Sequence, residues 1–136
     1  MPANILIVED EFLIAIEMEE VLHDLGHASA GIADNRAAAL ALANENVDVA
    51  LVDVNLVDGA TGPEIGAQLA DEYGIDVIFI TANPAQLGRG VRGTLGAVEK
   101  PVDLHELAEV LDYAIALKAN AASPTPPAKL MLFDAA

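Results

Sequence analysis

The feature that most constrains the fold of this chain is a fivefold alternation of short apolar runs with helical patterns. The apolar runs cover residues 5–8, 27–33, 47–52, 77–80 and 96–99. The first, third and fourth runs are continuously apolar, which is typical of central parallel strands that are covered on both faces. The alternation therefore predicts an α/β fold with a doubly wound, five-stranded parallel sheet.

The segments between these runs predict the helices. Apolar spacing and end signals indicate helices over about 11–25, from a cap at Asp34 or Asn35 to 44, from 62 to about 73, and from the cap residue Asp103 to about 118. The segment before the last apolar run is different, because it contains glycines at 88, 90, 93 and 96. Each glycine costs about 1 kcal/mol in a helix interior. We expect the fourth helix of the series to be short, frayed or missing.

The chain is predicted to be one domain over residues 1–118, followed by a proline-rich linker and an apolar tail over 119–136. The tail contains four consecutive apolar residues, Leu130–Phe133. Burying such side chains is favourable at about 25 cal/mol per Å² of apolar surface. We therefore expect the tail to dock either on its own domain or on a second copy of the chain, which would give a homodimer.

Composition excludes several classes of protein. The chain has 22 acidic and 6 basic residues and a net charge of −16, which opposes nucleic-acid binding. There is no cysteine, so thiolate metal sites and disulfide scaffolds are excluded. No apolar run approaches the roughly 18 residues of a membrane span, and the first residues lack the basic region of a signal peptide. The expected location is the cytoplasm, with no membrane partner.

Polar side chains follow four of the predicted strands. Glu9 and Asp10 follow the first strand, Asp53 the third, Thr81 the fourth and Lys100 the fifth. Because the carboxyl ends of parallel strands meet at one edge of an open α/β sheet, these side chains are expected to converge there. Three acids at short range repel one another unless a cation lies among them.

A hard divalent cation fits this group of oxygens. Mg²⁺ prefers oxygen ligands and often shares its shell with a phosphoryl group. Carboxylates of Glu9, Asp10 and Asp53 and the backbone carbonyl of Asn55 are the predicted ligands. An aspartate is also a competent nucleophile in phosphoryl transfer. Lys100 and Thr81 would then face the oxygens of a phosphorylated Asp53.

Over residues 5–118 the chain resembles the receiver domain of bacterial two-component response regulators. The resemblance is carried by Ile7–Glu11, Leu51–Asp53, Asp58-Gly59, Ile80–Ala82 and Glu99–Val102. It implies a flavodoxin-like (βα)5 fold and a cis peptide bond between Lys100 and Pro101. It also implies that Asp53 accepts a phosphoryl group in a Mg²⁺-dependent reaction, with Glu9 and Asp10 as the acid pair, Thr81 as the switch hydroxyl and Lys100 as the phosphate-binding cation.

The sequence departs from the family pattern at three places. Ala97 stands where the family usually has the aromatic switch residue, Val102 replaces a common phenylalanine, and the loop before Asp58 lacks a frequent proline. Phosphorylation is expected to be retained, whereas an output relayed by a turning aromatic ring is not. The expected function is a stand-alone receiver that signals by protein–protein interaction or acts as a phosphate sink. It is not expected to be an enzyme beyond slow self-dephosphorylation.

The expected partner is a sensor histidine kinase that docks on the first helix. Phe12, Leu13 and Ile16 lie outside the apolar stripe of that helix and next to the acids, as a docking surface would. Residues 9–25 are similar to stand-alone receivers that work with HWE-type kinases.

Three alternative functions remain open from the residues. A receiver-like binding module without signalling is compatible with Ala97. A Mg²⁺-dependent phosphatase of the haloacid dehalogenase kind would need a second aspartate where this chain has Asn55. A flavin-binding domain would need a loop rich in serine, threonine and glycine where this chain has three acids, Glu9 to Glu11.

Overall fold

The structure, a computed structural model, describes residues 2–119 and 125–133. The strands are β1 (Asn4–Val8), β2 (Ala28–Ala33), β3 (Val49–Asp53), β4 (Asp76–Thr81), β5 (Gly96–Glu99) and β6 (Leu130–Leu132). The α-helices are α1 (Phe12–Asp24), α2 (Arg36–Leu42), α3 (Gly62–Tyr73) and α4 (Leu104–Lys118). None of the helices in these ranges is long and apolar enough to cross a bilayer.

The strands form one sheet in the order β2-β1-β3-β4-β5-β6. Strands β1 to β5 are parallel, and β6 pairs with β5 in the antiparallel direction. The predicted α/β, flavodoxin-like architecture is confirmed. Because the strand order reverses between β1 and β3, a crevice forms outside their carboxyl ends, where ligands of such sheets bind.

The five predicted parallel strands are present, and the C-terminal tail adds a sixth, antiparallel strand, β6, that the sequence did not predict. Its residues pair as Leu130 with Val98, Met131 with Ala97 and Leu132 with Gly96. An antiparallel neighbour needs no crossover helix, so a segment that follows the last helix can join the edge of a parallel sheet in this way.

The core lies on both faces of the sheet. One cluster joins β1, β3, β4 and β5 to α1 and α4, and the other joins the opposite face to α2 and α3. Every residue of β3 is buried, as the continuous apolar run predicted. The two covered faces hold the strand ends in fixed positions relative to one another.

The predicted helix ends agree with the structure where side chains cap them. Asn35 accepts a hydrogen bond from the amide of Ala38 at the start of α2, at 2.9 Å. Asp103 accepts one from the amide of Glu106 at the start of α4, at 2.7 Å. Each cap satisfies one of the free amides of a first turn and so fixes where its helix begins.

The glycine-rich connection between β4 and β5 contains only a short 3₁₀ helix, Pro84–Leu87. Residues 88–95 are described and contain no helix. Gly88, Gly90 and Gly93 all have positive φ angles, which the right-handed helix does not use. The prediction of a short or missing helix in this segment is confirmed.

The apolar tail docks on its own domain in this structure. Beyond the pairing of β6, the amide of Phe133 donates to the carbonyl of Leu95 at 3.1 Å. Leu130 is buried in the cluster beneath α1 and α4. Residues 120–124 of the predicted linker lie outside the described residues. The boundary at residue 118 and the homodimer stay predictions.

Candidate functional site

The polar residues predicted at the strand ends meet at one edge of the sheet. Glu9 follows β1, Asp53 ends β3, Thr81 ends β4 and Lys100 follows β5. Strand register aligns them, because Asp53 pairs with Ile80 and Thr81 pairs with Glu99. The convergence is a direct consequence of parallel strands that end at the same level.

Three carboxylates form the centre of the site. One oxygen each of Glu9, Asp10 and Asp53 lie within 4.8 Å of one another. Glu9 is 2% exposed and Asp53 is 6% exposed, whereas Asp10 is half-buried. Such a group of oxygens matches the ligands that Mg²⁺ prefers.

Lys100 reaches into the acid cluster from β5. Its Nζ lies 3.1 Å from Oδ2 of Asp53 and 3.1 Å from Oε1 of Glu9. Burial alone would lower the pKa of Lys100, but the hydrogen bond to Asp53 and the charges of Glu9 and Asp53 outweigh burial and raise it. Lys100 is therefore held as a cation beside Asp53.

The pKa of Glu9 indicates that the single positive charge of Lys100 does not balance the negative charge of the three acids. Burial is the largest cause of a rise in the pKa of Glu9 to about 7, with Asp53 adding to the rise. The amide of Glu11, which donates to Oε2 at 3.1 Å, and the charge of Lys100 oppose it. Oε1 is buried and has no aligned hydrogen-bond partner among the described residues. Lys100 is the cation beside Oε1 but makes no aligned hydrogen bond to it, and a buried carboxylate oxygen in this position fits a bound cation, so the residues present suit Mg²⁺.

Thr81 and Asn55 lie beside the acids. Thr81 is 1% exposed, and its hydroxyl oxygen accepts a hydrogen bond from the amide of Asn83 at 3.1 Å, which leaves the hydroxyl proton available. The amide of Asn55 donates to Oδ1 of Asp53 at 3.3 Å, and its side chain accepts from Gln86 at 3.4 Å. The role of the Asn55 carbonyl as a metal ligand stays a prediction.

Gly62 is a residue of the site that the sequence analysis used only as a helix start. A Cβ atom at Gly62 would overlap the backbone carbonyl of Asp53 and the backbone of Val54. The first turn of α3 therefore approaches the end of β3 more closely than any side chain allows. The signal in the sequence was a glycine directly before Pro63, at a helix start where a capping residue is usual.

An apolar surface adjoins the acids on α1. Phe12 is 69% exposed and Leu13 is 76% exposed, whereas Ile16 is half-buried. A groove of about 450 Å³ lies between α1 and the start of α4. Its apolar lining consists of Ile14, Met18, Ile80, Ala82, Pro101, Val102, Leu104 and Leu107. The peptide bond between Lys100 and Pro101 is cis, as the family resemblance implied.

The family model of the response regulator receiver domain matches residues 5–112. The chain belongs to this family. The receiver domain is 33% identical to the phyllosphere-induced regulator PhyR of Methylorubrum extorquens over 124 residues, which cover 89% of this chain and 46% of PhyR. It is 29% identical to the TorCAD operon regulator TorR of Escherichia coli over 110 residues, which cover 79% of this chain and 47% of TorR. The chain thus spans about half the length of these curated relatives.

Solved structures of receiver domains have the same fold. The PhyR receiver domain of Erythrobacter litoralis is 32% identical and superposes with a TM-score of 0.72, covering 91% of this chain and 95% of that one. The anti-anti-sigma factor PhyR of Bartonella quintana is 30% identical, with a TM-score of 0.76 over 88% of this chain and 50% of that one. The resemblance identified from the motifs is confirmed.

The receiver domain keeps the charged residues of the family motif but not the aromatic one. Ala97 is 1% exposed and lies on β5, three residues before Lys100. Its side chain is buried in the cluster that faces α2 and α3. A rotating ring at this position is therefore not part of this receiver.

Proposed function

We propose that this receiver domain accepts a phosphoryl group from a histidine kinase on Asp53, in the cytoplasm and with Mg²⁺ bound by Glu9, Asp10 and Asp53. The observation that carries the proposal is the position of the Lys100 Nζ atom, 3.1 Å from Oδ2 of Asp53 and 3.1 Å from Oε1 of Glu9. The lysine thus lies beside a nearly buried aspartate that has two further acids next to it. A nucleophile, a metal ligand set and a phosphate-binding cation are the parts that phosphoryl transfer to an aspartate requires.

The transfer is a substitution at phosphorus. A carboxylate oxygen of Asp53 forms a P–O bond while the P–N bond to the kinase histidine breaks, and the electron pair returns to the imidazole nitrogen, which then takes up a proton. The product is an acyl phosphate on Asp53. In this proposal Lys100 and the Thr81 hydroxyl hold the transferred oxygens. Bound Mg²⁺ supplies the positive charge that the acids and the phosphoryl group together need.

The output proposed for this receiver is contact with another protein, or storage of phosphate as a sink. The similarity to PhyR of Bartonella quintana, an anti-anti-sigma factor, supports the first alternative. The net charge of −16 argues against nucleic acid as the partner. No enzymatic activity is proposed beyond slow loss of the phosphoryl group from Asp53. The stand-alone nature of the protein stays a prediction.

Removal of the metal is expected to abolish phosphorylation. With Mg²⁺ and a small phosphodonor such as acetyl phosphate, the intact mass should increase by one phosphoryl group, and with a chelator it should not. The reason is that three acids repel an incoming phosphoryl group unless a divalent cation offsets their charge. The control is a return of labelling when excess Mg²⁺ is added back. Labelling that continues in the chelator would contradict the proposal.

The kinase is proposed to dock on the exposed start of α1 and the adjoining groove. Phe12 and Leu13 are largely exposed, and one residue, Glu11, separates them from the acids Glu9 and Asp10. Exposed aromatic and aliphatic side chains beside a groove are typical anchors for a partner helix. A kinase that covers this surface while it brings a histidine to Asp53 would contact the apolar patch and the acids as one docking region. An HWE-type kinase is the proposed class.

Replacing Phe12 and Leu13 together by serine is expected to slow phosphotransfer from a kinase without slowing labelling by acetyl phosphate. Loss of two anchors should lower kcat/KM about tenfold or more, since an anchor residue contributes more than about 1 kcal/mol. The kinase is the member of a purified panel, with HWE-type kinases included, that labels the wild type fastest. Leu25→Ser is the matched control, because Leu25 is 38% exposed just beyond the other end of α1. Equal slowing by the control, or no slowing by the double variant, would show that the kinase docks elsewhere.

A further inference from the structure

Two glycines of the domain leave the space that its own C-terminal tail occupies. A Cβ atom at Gly96 would overlap the carbonyl of Met131, and a Cβ atom at Gly90 would overlap the ring of Phe133. Side chains at these two positions and a docked tail are therefore incompatible. The glycines that interrupt the helix between β4 and β5 thus also make room for the tail.

The tail is held on both faces of the sheet. Successive side chains of a strand point to opposite faces, so Leu130 and Phe133 lie on different sides. Leu130 is 6% exposed and packs in the core beneath α1 and α4. Phe133 packs on the other face, where its ring centroid lies 6.2 Å from that of Phe79. These contacts and the backbone pairing attach the tail to β5 through β6 and to β4 through Phe133.

The two strands that contact the tail are the strands that carry Thr81 and Lys100. β6 pairs with Gly96–Val98 of β5, and Lys100 follows two residues later. Phe79, which packs against Phe133, precedes Thr81 by two residues in β4. In the sheet order, β4 and β5 separate β6 from β3 and β1, which carry the three acids. The tail is therefore next to the phosphoryl-binding half of the site and remote from the metal-binding half.

We propose that β6 is a positioning strand, whose docking on β5 holds Lys100 and Thr81 in place for the phosphoryl group on Asp53. The inference rests on the proposed function, since the ligand it concerns is that phosphoryl group. Docking of the tail and phosphoryl binding are then thermodynamically coupled with a positive sign, so that each strengthens the other.

We infer the positive sign of the coupling from the position of Lys100 when the tail is docked. In this structure β6 is in place, and Nζ of Lys100 already lies 3.1 Å from Oδ2 of Asp53. Without β6, the four residues of β5 would be an unpaired edge beside a connection that contains no helix over 88–95. Short edges with few packed neighbours open locally at low cost, and Lys100 would then be held less firmly.

The test compares the affinity for Mg²⁺ with the affinity for beryllofluoride, a phosphoryl mimic, at saturating Mg²⁺. Four proteins are measured by calorimetry: the full chain and a chain that ends at Ala119, each with and without Gly96→Ala. Both variants are expected to bind Mg²⁺ as the full chain does and to bind beryllofluoride about tenfold more weakly, within the usual range of coupling between sites. Gly96→Ala in the shortened chain is the control and should have no further effect, because the atoms it would overlap are gone. Amide exchange in 125–133 of the full chain should slow when beryllofluoride binds.

Each other result would overturn the inference in a recognisable way. A parallel loss of Mg²⁺ and beryllofluoride affinity would mean that the tail only stabilises the domain as a whole. Unchanged beryllofluoride affinity in both variants would mean that the tail has no influence on the site, and tighter binding would mean that the tail opposes phosphorylation. A full chain that binds Mg²⁺ but not beryllofluoride would instead contradict the proposed function, and the positioning role would fail with it.

Discussion

Asp53→Asn is expected to reduce phosphoryl labelling of the protein to background. The amide has the shape of the carboxylate but lacks its nucleophilic oxygen, so no acyl phosphate can form. The measurement is intact mass after treatment with acetyl phosphate or a kinase in the presence of Mg²⁺, followed by peptide mapping of the wild type. Asp53 is 6% exposed and hydrogen-bonded to Lys100, so the site around it is preformed. Equal labelling of the variant and the wild type would show that another residue accepts the phosphoryl group.

Asp58→Asn is the matched control for this experiment. Asp58 lies in the same loop after β3, but its carboxylate accepts hydrogen bonds from the Thr61 hydroxyl at 2.6 Å and from the amide of Arg36 at 3.3 Å. The hydrogen bond from Thr61 is the largest cause of its lowered pKa. The control removes one negative charge five residues after Asp53 without removing a member of the acid cluster. It should be labelled as the wild type is.

Lys100→Ala is expected to separate metal binding from phosphoryl binding. Loss of a charge-assisted hydrogen bond costs about 1.5–3 kcal/mol, which corresponds to beryllofluoride binding weaker by about 10- to 100-fold. Mg²⁺ binding should remain, because Glu9, Asp10 and Asp53 are unchanged and a competing positive charge has been removed. Calorimetric titrations of the two ligands measure both effects. Loss of Mg²⁺ binding, or full retention of beryllofluoride binding, would contradict the role given to Lys100.

In the absence of metal, Lys100→Ala should be less stable than the wild type. Lys100 is the cation beside Glu9 and Asp53, and its removal leaves these nearly buried acids without a counter-charge. The melting temperature should fall in chelator and recover when Mg²⁺ is added. Lys118→Ala is the control, because its Nζ donates to the carbonyl of Gly74 at 2.9 Å and its loss does not touch the acids.

The part of the site that could be predicted from the sequence is the part that follows from strand ends. Asp53 and Thr81 are the last residues of buried parallel strands, and the geometry of such sheets brings their ends to one edge. Sequence order alone was enough to predict this convergence. The family resemblance then implied a specific role for each residue: Asp53 as phosphoacceptor, Thr81 as switch hydroxyl and Lys100 as phosphate-binding cation.

Distances between side chains from different strands could not be predicted in this way. The sequence analysis placed Lys100 opposite a phosphorylated Asp53, but its equally close approach to Glu9 depends on the arrangement of the sheet, in which β3 and β4 lie between β1 and β5. The resulting rise in the pKa of Glu9 is a property of burial, which a linear pattern does not contain. Gly62 was likewise used only as a helix start, because its contact with Asp53 joins two elements.

The strand β6 was missed for a different physical reason. Three residues, Leu130–Leu132, are too few to show a period, and their partners in β5 lie more than 30 positions earlier in the chain. Apolarity predicted that the tail would dock but could not specify the edge on which it docks. Gly90 and Gly96 leave the space in which the tail lies. From the sequence alone, these glycines indicated only the loss of a helix.

The length of chain between α4 and β6 decides whether one molecule or two complete the sheet. Residues 119–129, eleven in all, connect the two elements. A short tether keeps the tail near its own β5 at an effective concentration on the order of millimolar, so a second copy replaces it only at comparable protein concentrations. A tether too short to return to β5 would favour domain swapping, in which each chain supplies the sixth strand of the other. The length of the linker would then determine whether the predicted homodimer forms. Leu130 would pair with Val98 both in the monomer and in the domain-swapped dimer.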